Sequence, residues 1–418
     1  MSEWKKVKIG DIFSIEKGSL QSSKCTPGEY DFITAATDWK THNSFDHECE
    51  AIVYAVAASG SLGRAHYVNG KFIASDLCFI LTEKDKKQYP INFLFYQIVF
   101  EMLPDEIVSK TKTGTSKESI NRGNFSNYEI PYFPIEFQLA NYQKFVNAKN
   151  IIKNLLEESE KQKNYIKQLR QNILQDAIEG KLTADWRKQN PVQKGNPDYD
   201  AEALFEQIQK ERNNEKKHII LNDIGWYIST LDDFVKLKIG GTPARNNPLF
   251  WKPEIPWVSS GEVANCEIFS TKEQISYEGS NNSAAKILPV GTVLIAMIGQ
   301  GKTRGQAAIL RIEASTNQNV CAIILPKDLI LSEFLYIYFC SRYEERRKVA
   351  TGGNQAALSG TKISKFIFPL PPLAEQREIV KQVEKHLQTI TNLENQITER
   401  EQMTKKLMQS ILKGAFLA

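Results

Sequence analysis

The pattern of apolar and polar positions divides the chain into two mixed segments and two long helices. In the mixed segments, short apolar runs alternate with clusters of turn-forming residues, which is typical of β-strands. Clear examples of these runs are AIVYAVA, FIASDLCFIL, TVLIAMI and VCAIIL. A helix candidate follows in each segment, PINFLFYQIVFEML in the first and LSEFLYIYFCSRYEERRK in the second. Each segment is therefore predicted to be a mixed α/β domain.

The two long helices are predicted from the placement of proline and glycine. Pro134 and Pro372 stand where a first helical turn would begin. More than 40 residues without proline or glycine follow each of them, until Gly180 and Gly414. At about 1.5 Å per residue, each helix would be on the order of 65 Å long.

Both long helices carry the same heptad pattern of apolar residues, which we call the seam. Two helices with matching seams on one chain should pair, and because a whole domain connects them, we expect the pair to be antiparallel. A polar layer interrupts the seam at Ser159, Gln162, Arg400 and Thr404, and register control explains it best. The expected helix-pairing residues are Ile152, Leu155, Ile166, Leu169, Ile173, Ile390, Leu393, Ile397, Leu407 and Ile411.

The chain contains an internal repeat. The segment IPYFPIEFQ (130–138) resembles FPLPPLAEQ (368–376), and the same offset of 238 residues superposes one seam on the other. Upstream the offset varies between 222 and 243, as it should where loops differ in length. Two similar domains, each followed by a matching helix, would be related by a pseudo-twofold axis.

A glycine-rich turn occurs at the same place in both copies. The segment IVYAVAASGSLGRAHYV (52–68) aligns with VLIAMIGQGKTRGQAAIL (293–310). The GKT of the second copy suggests a phosphate-binding loop, but Ala296 stands where that motif needs its first glycine, and a strand-like run follows instead of a helix. The shared element is therefore predicted to be a strand–turn–strand hairpin, whose glycines would let the backbone approach a ligand.

Small polar and basic side chains lie beside these turns and in the matched loops before the long helices. Such side chains suit contact with phosphates and base edges, although simple surface exposure explains each of them at least as well. The candidate DNA-binding residues are Ser61, Arg64, Lys112, Thr113, Thr115, Ser116 and Lys117 in the first copy, and Lys302, Thr303, Arg304, Thr351, Asn354 and Gln355 in the second.

Composition and charge narrow the class of protein without fixing its partner. The 418 residues are 41% hydrophobic and 24% charged, as in globular proteins. The 53 Lys and Arg against 49 Asp and Glu leave a net charge of only +4, so a DNA-binding surface would have to be local. Because no run of 18 apolar residues and no signal-peptide pattern occurs, we expect a cytoplasmic protein.

A search for catalytic motifs finds none. The segment NNPLFW (246–251) has one proline where an adenine-methyltransferase loop has two, and the five histidines are dispersed. The six cysteines form no C-x-x-C pair, and a zinc site built from Cys25, His42, His47 and Cys49 would have unusual spacing. The chain is therefore predicted to be non-catalytic and to have no metal or cofactor of its own. Its two similar but unlike halves predict that it reads a two-part, non-palindromic DNA target.

The segment TGGNQAALSGTKISKFIFPLPPLAEQREIV (351–380) resembles the specificity subunit of type I restriction–modification enzymes. The segments NQNVCAIIL, EGKLTADWRKQNP and SILKGAFLA are similar to the same family, so the resemblance covers the whole chain. The first copy departs from the family pattern P-x-P-P-x-x-E-Q at Tyr132, Phe133, Glu136 and Phe137.

The resemblance implies an α+β fold, with two target recognition domains separated by a pair of long antiparallel coiled-coil helices. The implied domains are residues 1–133 and 223–371 for recognition, 134–182 and 372–418 for the helices, and 183–222 for a linker with a charged, exposed helix. Each recognition domain would read one half-site of double-stranded DNA, and the helices would act as a ruler. The implied partners are two methyltransferase subunits and translocase–nuclease subunits, which would hold the S-adenosylmethionine, ATP and Mg that the reactions need.

Two other classes remain open from the sequence. One is an enzyme, either a nucleotide-binding protein with a P-loop-like turn or an autonomous methyltransferase, which binding of ATP or S-adenosylmethionine by the isolated chain would favour. The other is a coiled-coil scaffold without a DNA role, which failure to bind any DNA together with methyltransferase partners would favour.

Overall fold

The computed structural model describes residues 5–58, 60–114, 118–212, 220–299, 302–345 and 358–417. The chain forms two compact units. Unit 1 comprises Met1–Lys163 and Asn395–Ala418, and unit 2 comprises Asn164–Glu394. Each mixed segment predicted from the sequence therefore lies in a unit of its own, together with parts of both long helices.

Unit 1 is built around a six-stranded sheet with the strand order β2-β7-β5-β6-β3-β4. Neighbouring strands are antiparallel except β3 and β6, which run parallel. Two smaller ladders, β1 with β10 and β8 with β9, complete the strand pairing. The strands are β1 (Lys6–Lys8), β2 (Phe13–Lys17), β3 (Tyr30–Ile33), β4 (Lys40–His42), β5 (His47–Ala55), β6 (Ala65–Ala74), β7 (Cys78–Glu83), β8 (Lys112–Thr113), β9 (Ser119–Ile120) and β10 (Glu129–Pro131). The helices are α1 (Ile9–Ile12), α2 (Phe93–Met102), α3 (Pro104–Thr111), α4 (Arg122–Asn127) and α5 (Ile135–Ile178), which continues into unit 2.

Strand β5 explains why the first apolar run of the sequence is continuous rather than alternating. Successive side chains of a strand point to opposite faces of the sheet. Ile52 and Tyr54 are buried in one apolar cluster with α2, and Val53 and Ala55 are buried in a second cluster. Because both faces are covered, every position of the run is apolar.

Unit 2 contains a five-stranded sheet, β12-β19-β16-β17-β14, and a three-stranded sheet, β15-β13-β18. Strand β11 pairs with β20. The strands are β11 (Tyr227–Thr230), β12 (Lys236–Ile239), β13 (Ile255–Val258), β14 (Cys266–Ile268), β15 (Glu273–Ile275), β16 (Val293–Ala296), β17 (Ala307–Leu310), β18 (Ser315–Thr316), β19 (Val320–Ile324) and β20 (Ile367–Leu370). The helices are α6 (Ala184–Gln189), α7 (Ala201–Arg212), α8 (Tyr277–Asn281), α9 (Ser332–Ser341), α10 (Gly360–Ser364) and α11 (Leu373–Leu417).

The two units share one strand topology, which confirms the internal repeat. The order β2-β7-β5-β6 in unit 1 corresponds to β12-β19-β16-β17 in unit 2, and the ladder β1–β10 corresponds to β11–β20. Strand β3 lies parallel to the end of β6 and antiparallel to β4, just as β13 lies parallel to β18 and antiparallel to β15. Strand β14 is an addition in unit 2.

The linker helix α7 is amphipathic. Its residues Leu204, Phe205 and Ile208 are buried, and the Phe205 ring stacks on Tyr227 with 3.9 Å between the ring centroids. The amide of Gln209 donates to the backbone carbonyl of Asp233 at 2.7 Å. The expectation of an exposed linker helix is therefore wrong for this face, because the apolar positions spaced three and four apart pack on unit 2.

Within each unit, the segments of α5 and α11 run antiparallel, as the seam predicts. In unit 1, Lys163 forms an ion pair with Glu401 at 2.7 Å, while Ile411 packs on the apolar cluster that contains Phe145. In unit 2, Arg170 contacts Glu394 at 3.2 Å, and Thr183, just after the end of α5, donates to Glu375 near the start of α11 at 2.6 Å.

Along most of the seam, one residue in each heptad is buried. Buried positions follow one another at intervals of seven: Ile152, Ser159, Ile166 and Ile173 on α5, and Ile390, Ile397 and Thr404 on α11. The seam leucines three residues further on are exposed, by 40% for Leu155, 44% for Leu169, 39% for Leu393 and 49% for Leu407. These leucines therefore lie at the margin of the seam rather than at its centre. Three residues turn a helix by about 300°, which leaves these side chains about 60° to one side of the line of contact.

Candidate nucleic-acid interface

The glycine-rich turn is closed by the same kind of backbone hydrogen bond in both units. The N–H of Gly63 donates to the carbonyl of Ala55 at 3.0 Å, and the N–H of Gly305 donates to the carbonyl of Ala296 at 2.8 Å. Both glycines have left-handed φ angles, 82° and 84°. A side chain at Gly63 would also come within 2.9 Å of Val108. Glycine is therefore required at this position of the turn.

The turn is a hairpin connection, as predicted, and not a phosphate-binding loop. Strand β17 follows the second turn and pairs antiparallel with β16, with Ile295 opposite Ala307. Strands β5 and β6 pair in the same way around the first turn. Neither turn opens a helix, so the helix N-terminus that holds phosphates in a P-loop is missing from this position.

The loop before each long helix lies against the turn of the same unit. The N–H of Ile120 donates to the carbonyl of Val56 at 2.8 Å, and the N–H of Leu358 donates to the carbonyl of Met297 at 3.1 Å. Ile120 and Leu358 are related by the 238-residue offset of the repeat. The glycine turn and the loop before the long helix, which are separate segments of the sequence, are therefore in contact in both units.

A third loop, which the sequence analysis missed, borders each turn. In unit 1 it comprises residues 34–39, and the guanidinium of Arg64 donates to its Ala35 carbonyl at 2.7 Å. In unit 2 it comprises residues 259–265, and the Asn265 side-chain oxygen accepts from the N–H of Ala307 at 3.0 Å. The two loops share no sequence pattern, so the repeat gave no signal for them.

Several predicted DNA-binding residues have structural contacts. Arg64 is half-buried, and the guanidinium nitrogen that contacts Ala35 also donates to the Ser61 hydroxyl at 3.2 Å. Lys112 is exposed and forms an ion pair with Glu118 at 2.7 Å in the β8–β9 hairpin. The Thr113 hydroxyl donates to a carbonyl of the same hairpin at 3.4 Å.

In the second copy, Lys302 is exposed, Thr303 and Arg304 are half-buried, and the hydroxyl of Tyr343 donates to the Lys302 carbonyl. The remaining predicted residues, Thr115, Ser116, Lys117, Thr351, Asn354 and Gln355, lie outside the described residues.

The residues considered for a zinc site have other contacts. The Cys25 thiol donates to the carbonyl of Thr41 at 3.2 Å, and the His42 ring accepts from the N–H of Thr26 at 3.1 Å. Among the residues that the structure describes, no group of three His, Cys, Asp or Glu side chains is arranged to hold a metal ion. Within the same part of the chain, no helix has the length and apolar character needed to span a bilayer.

A family profile matches both copies of the repeat. The profile described as "Type I restriction modification DNA specificity domain" covers residues 1–169 and 223–401. These two ranges contain both recognition folds and most of both long helices.

Relatives and a solved structure agree with this match. A type I restriction enzyme specificity subunit from Escherichia coli is 29% identical over 174 residues, which is 41% of this chain and 42% of the relative. The EcoDI specificity subunit, also from Escherichia coli, is 23% identical over 428 residues, which is 99% of this chain and 88% of that protein. The chain thus spans less than half of the first relative and most of the second.

A structure solved in a study of complex assembly and conformational transition of the type I R-M system has a TM-score of 0.64. It is 15% identical and covers 100% of this chain and 98% of its own, so the likeness concerns the fold.

Proposed function

We propose, since this chain belongs to the type I restriction–modification DNA specificity family, that it reads a bipartite, asymmetric target on double-stranded DNA. The observation that carries the proposal is the repeated group of three loops. In both units a pre-helix loop meets the glycine turn through a backbone hydrogen bond at matching positions, and a third loop meets the same region through a bond of a different kind in each unit. The side chains of the two groups differ, so each unit would read a different half-site.

The chain would act as the recognition subunit of a larger complex and not as the enzyme. Methyl transfer from S-adenosylmethionine and ATP-driven translocation with DNA cleavage would be carried out by other subunits. Two methyltransferase subunits would bind first, and translocase–nuclease subunits would join them. The exposed seam leucines of α5 and α11 support a partner site on the helices, because they leave apolar surface along both.

The two long helices would set the distance between the half-sites. This follows from their course along the chain, because α5 and α11 each contribute residues to both units. A helix is a stiff spacer with a fixed rise per residue, so its length converts directly into a distance along DNA.

The test is to identify the methylated motif in a host that lacks other DNA methylation. The chain is expressed with its methyltransferase subunits, and all methylated adenines are located by sequencing. We expect one motif with two unlike specific parts separated by an unspecified spacer. Replacing residues 1–133 with the matching domain of another family member should change one part and leave the other unchanged.

The same experiment with the chain omitted is the control and should show no motif. A single continuous motif, or simultaneous change of both parts after the exchange, would contradict the two-reader arrangement.

A further inference from the structure

The third loop of unit 1 presents an aromatic side chain beside the glycine turn. Trp39 is 38% exposed and lies between the exposed residues Asp38 and Lys40. Its indole N–H donates to Nδ1 of His66 at 3.2 Å, and the two rings are nearly perpendicular, at 79°. The ring is therefore held at its nitrogen edge, while part of its surface faces solvent.

The imidazole that accepts from Trp39 is buried. Burial lowers the pKa of this His66 imidazole, an effect to which the nearby Arg64 guanidinium adds. A neutral imidazole that accepts at Nδ1 carries its proton on Nε2, so only one tautomer fits this hydrogen bond. Arg64 also donates to the Ala35 carbonyl of the same loop at 2.7 Å. Trp39 is thus a preorganised surface, and little conformational entropy would be lost on contact with a ligand.

The corresponding loop of unit 2 differs in chemistry. Residues 259–265 have the sequence SSGEVAN, without an aromatic side chain. The Asn265 oxygen that lies nearest to the turn is already bonded to the backbone of β17. Among these two loops, an exposed aromatic side chain is therefore presented by the loop of unit 1, whereas the only apolar side chain that the loop of unit 2 exposes is the small methyl group of Ala264.

We propose that Trp39 is a specificity-determining residue for the first half-site, where its ring contacts a thymine methyl group in the major groove. Thymine is the base that offers an apolar group at the major-groove edge, and flat apolar side chains suit it. This inference rests on the proposed function, because it assigns a ligand group to one residue of that interface.

The experiment compares Trp39→Ala with Phe45→Ala in the full chain, each assembled with its methyltransferase subunits. Phe45 is a matched control, because it is 37% exposed in the same unit but packs beside Tyr30 and Lys71, away from the turn. Affinity is measured for the cognate DNA and for duplexes in which each thymine of the first half-site is replaced by deoxyuridine, which lacks only the methyl group.

We expect one deoxyuridine substitution to weaken binding of the unaltered complex roughly tenfold, near the lower end of what a mismatched base pair costs, because the base pair itself is kept. The same substitution should have no effect on Trp39→Ala, while Phe45→Ala should respond like the unaltered chain. Trp39→Ala should also methylate sites that are degenerate at that one position of the first half-site, with the second half-site unchanged.

Two results with the unaltered complex would each overturn the proposal: a first half-site without thymine, or one in which no deoxyuridine substitution weakens binding. These measurements need no variant, so the proposal stays testable if Trp39→Ala does not assemble. Absence of any bipartite motif for the unaltered complex would contradict the proposed function instead. A bipartite motif with an unchanged first half in Trp39→Ala would contradict the role of Trp39 alone.

Discussion

At the scale of single residues, Glu375 connects the linker to the second long helix. Its carboxylate is buried and accepts hydrogen bonds from the Thr183 hydroxyl at 2.6 Å and the Trp226 indole at 2.8 Å. Arg187 forms an ion pair with the same carboxylate. A buried carboxylate is tolerated here because hydrogen-bond donors and an opposite charge surround it.

We expect Glu375→Ala to lower the free energy of unfolding by about 3 kcal/mol, because it removes the counter-charge of a partly buried guanidinium and leaves a buried indole N–H without its acceptor. Glu384→Ala is the matched control on the same helix, since Glu384 is exposed, and it should cost less than about 0.5 kcal/mol. Urea unfolding followed by circular dichroism measures both values. Equal midpoints for the two variants would show that the Glu375 network does not stabilise the fold.

The neighbouring glutamine shows what the sequence could reveal about such contacts. Gln138 accepts from the N–H of Asn92 at 2.6 Å, and its repeat partner Gln376 accepts from the N–H of Leu331 at 3.0 Å. The repeat identified this pair as equivalent, and it is equivalent. The counterpart of Glu375, however, is Phe137, which stacks on Phe133 with centroids 5.1 Å apart. Because a charged side chain in one copy is replaced by an aromatic one in the other, the contacts of Glu375 could not be predicted from those of Phe137.

At the scale of elements, heptad spacing predicted that the long helices pair but not how deeply each position is buried. The pattern treats both apolar positions of a heptad alike, whereas the structure buries one and leaves the other at the margin. How deeply a position is buried depends on the angle at which the two helices cross. The spacing of apolar residues along the sequence does not determine that angle.

This difference predicts unequal costs for similar truncations in unit 1. Ile152 is 4% exposed and Leu155 is 40% exposed. Ile152→Ala should reduce the free energy of unfolding by about 3 kcal/mol through the lost burial and the cavity left behind. Leu155→Ala should cost less than about 1 kcal/mol, because much of its side chain is already in water. Denaturant unfolding of the two variants makes the comparison, and a greater loss for Leu155→Ala would refute this view of the seam.

At the scale of the whole molecule, the repeat predicted the two folds correctly because strands and turns are dictated by apolar spacing and glycine. It failed for the third loops, since residues 34–39 and 259–265 have different lengths and no common pattern. If the proposed function holds, surfaces that read different half-sites would have to differ in sequence, so the residues that set specificity would be those that a repeat cannot reveal. Their position became visible only through contacts with the turn, such as the bond from Arg64 to Ala35.

The spacing between half-sites gives the last prediction, because helix length and DNA geometry can be matched. Heptads with isoleucine at the buried position are inserted into α5 between Lys163 and Asn164, and equally into α11 between Glu394 and Asn395, so that both seams stay in phase. Three heptads add about 31 Å of helix. That length corresponds to about nine base pairs, close to one turn of DNA. Each half-site would therefore stay on nearly the same face of the duplex, towards its recognition domain. One heptad adds about 10 Å, or roughly three base pairs, and rotates the second half-site about the DNA axis by about 100°.

We therefore expect the three-heptad variant to methylate the original half-sites with a spacer about nine base pairs longer. The one-heptad variant should methylate far more weakly. The methylated motif of each variant is read by sequencing, and an unchanged spacer in an active three-heptad variant would mean that the helices do not set the distance.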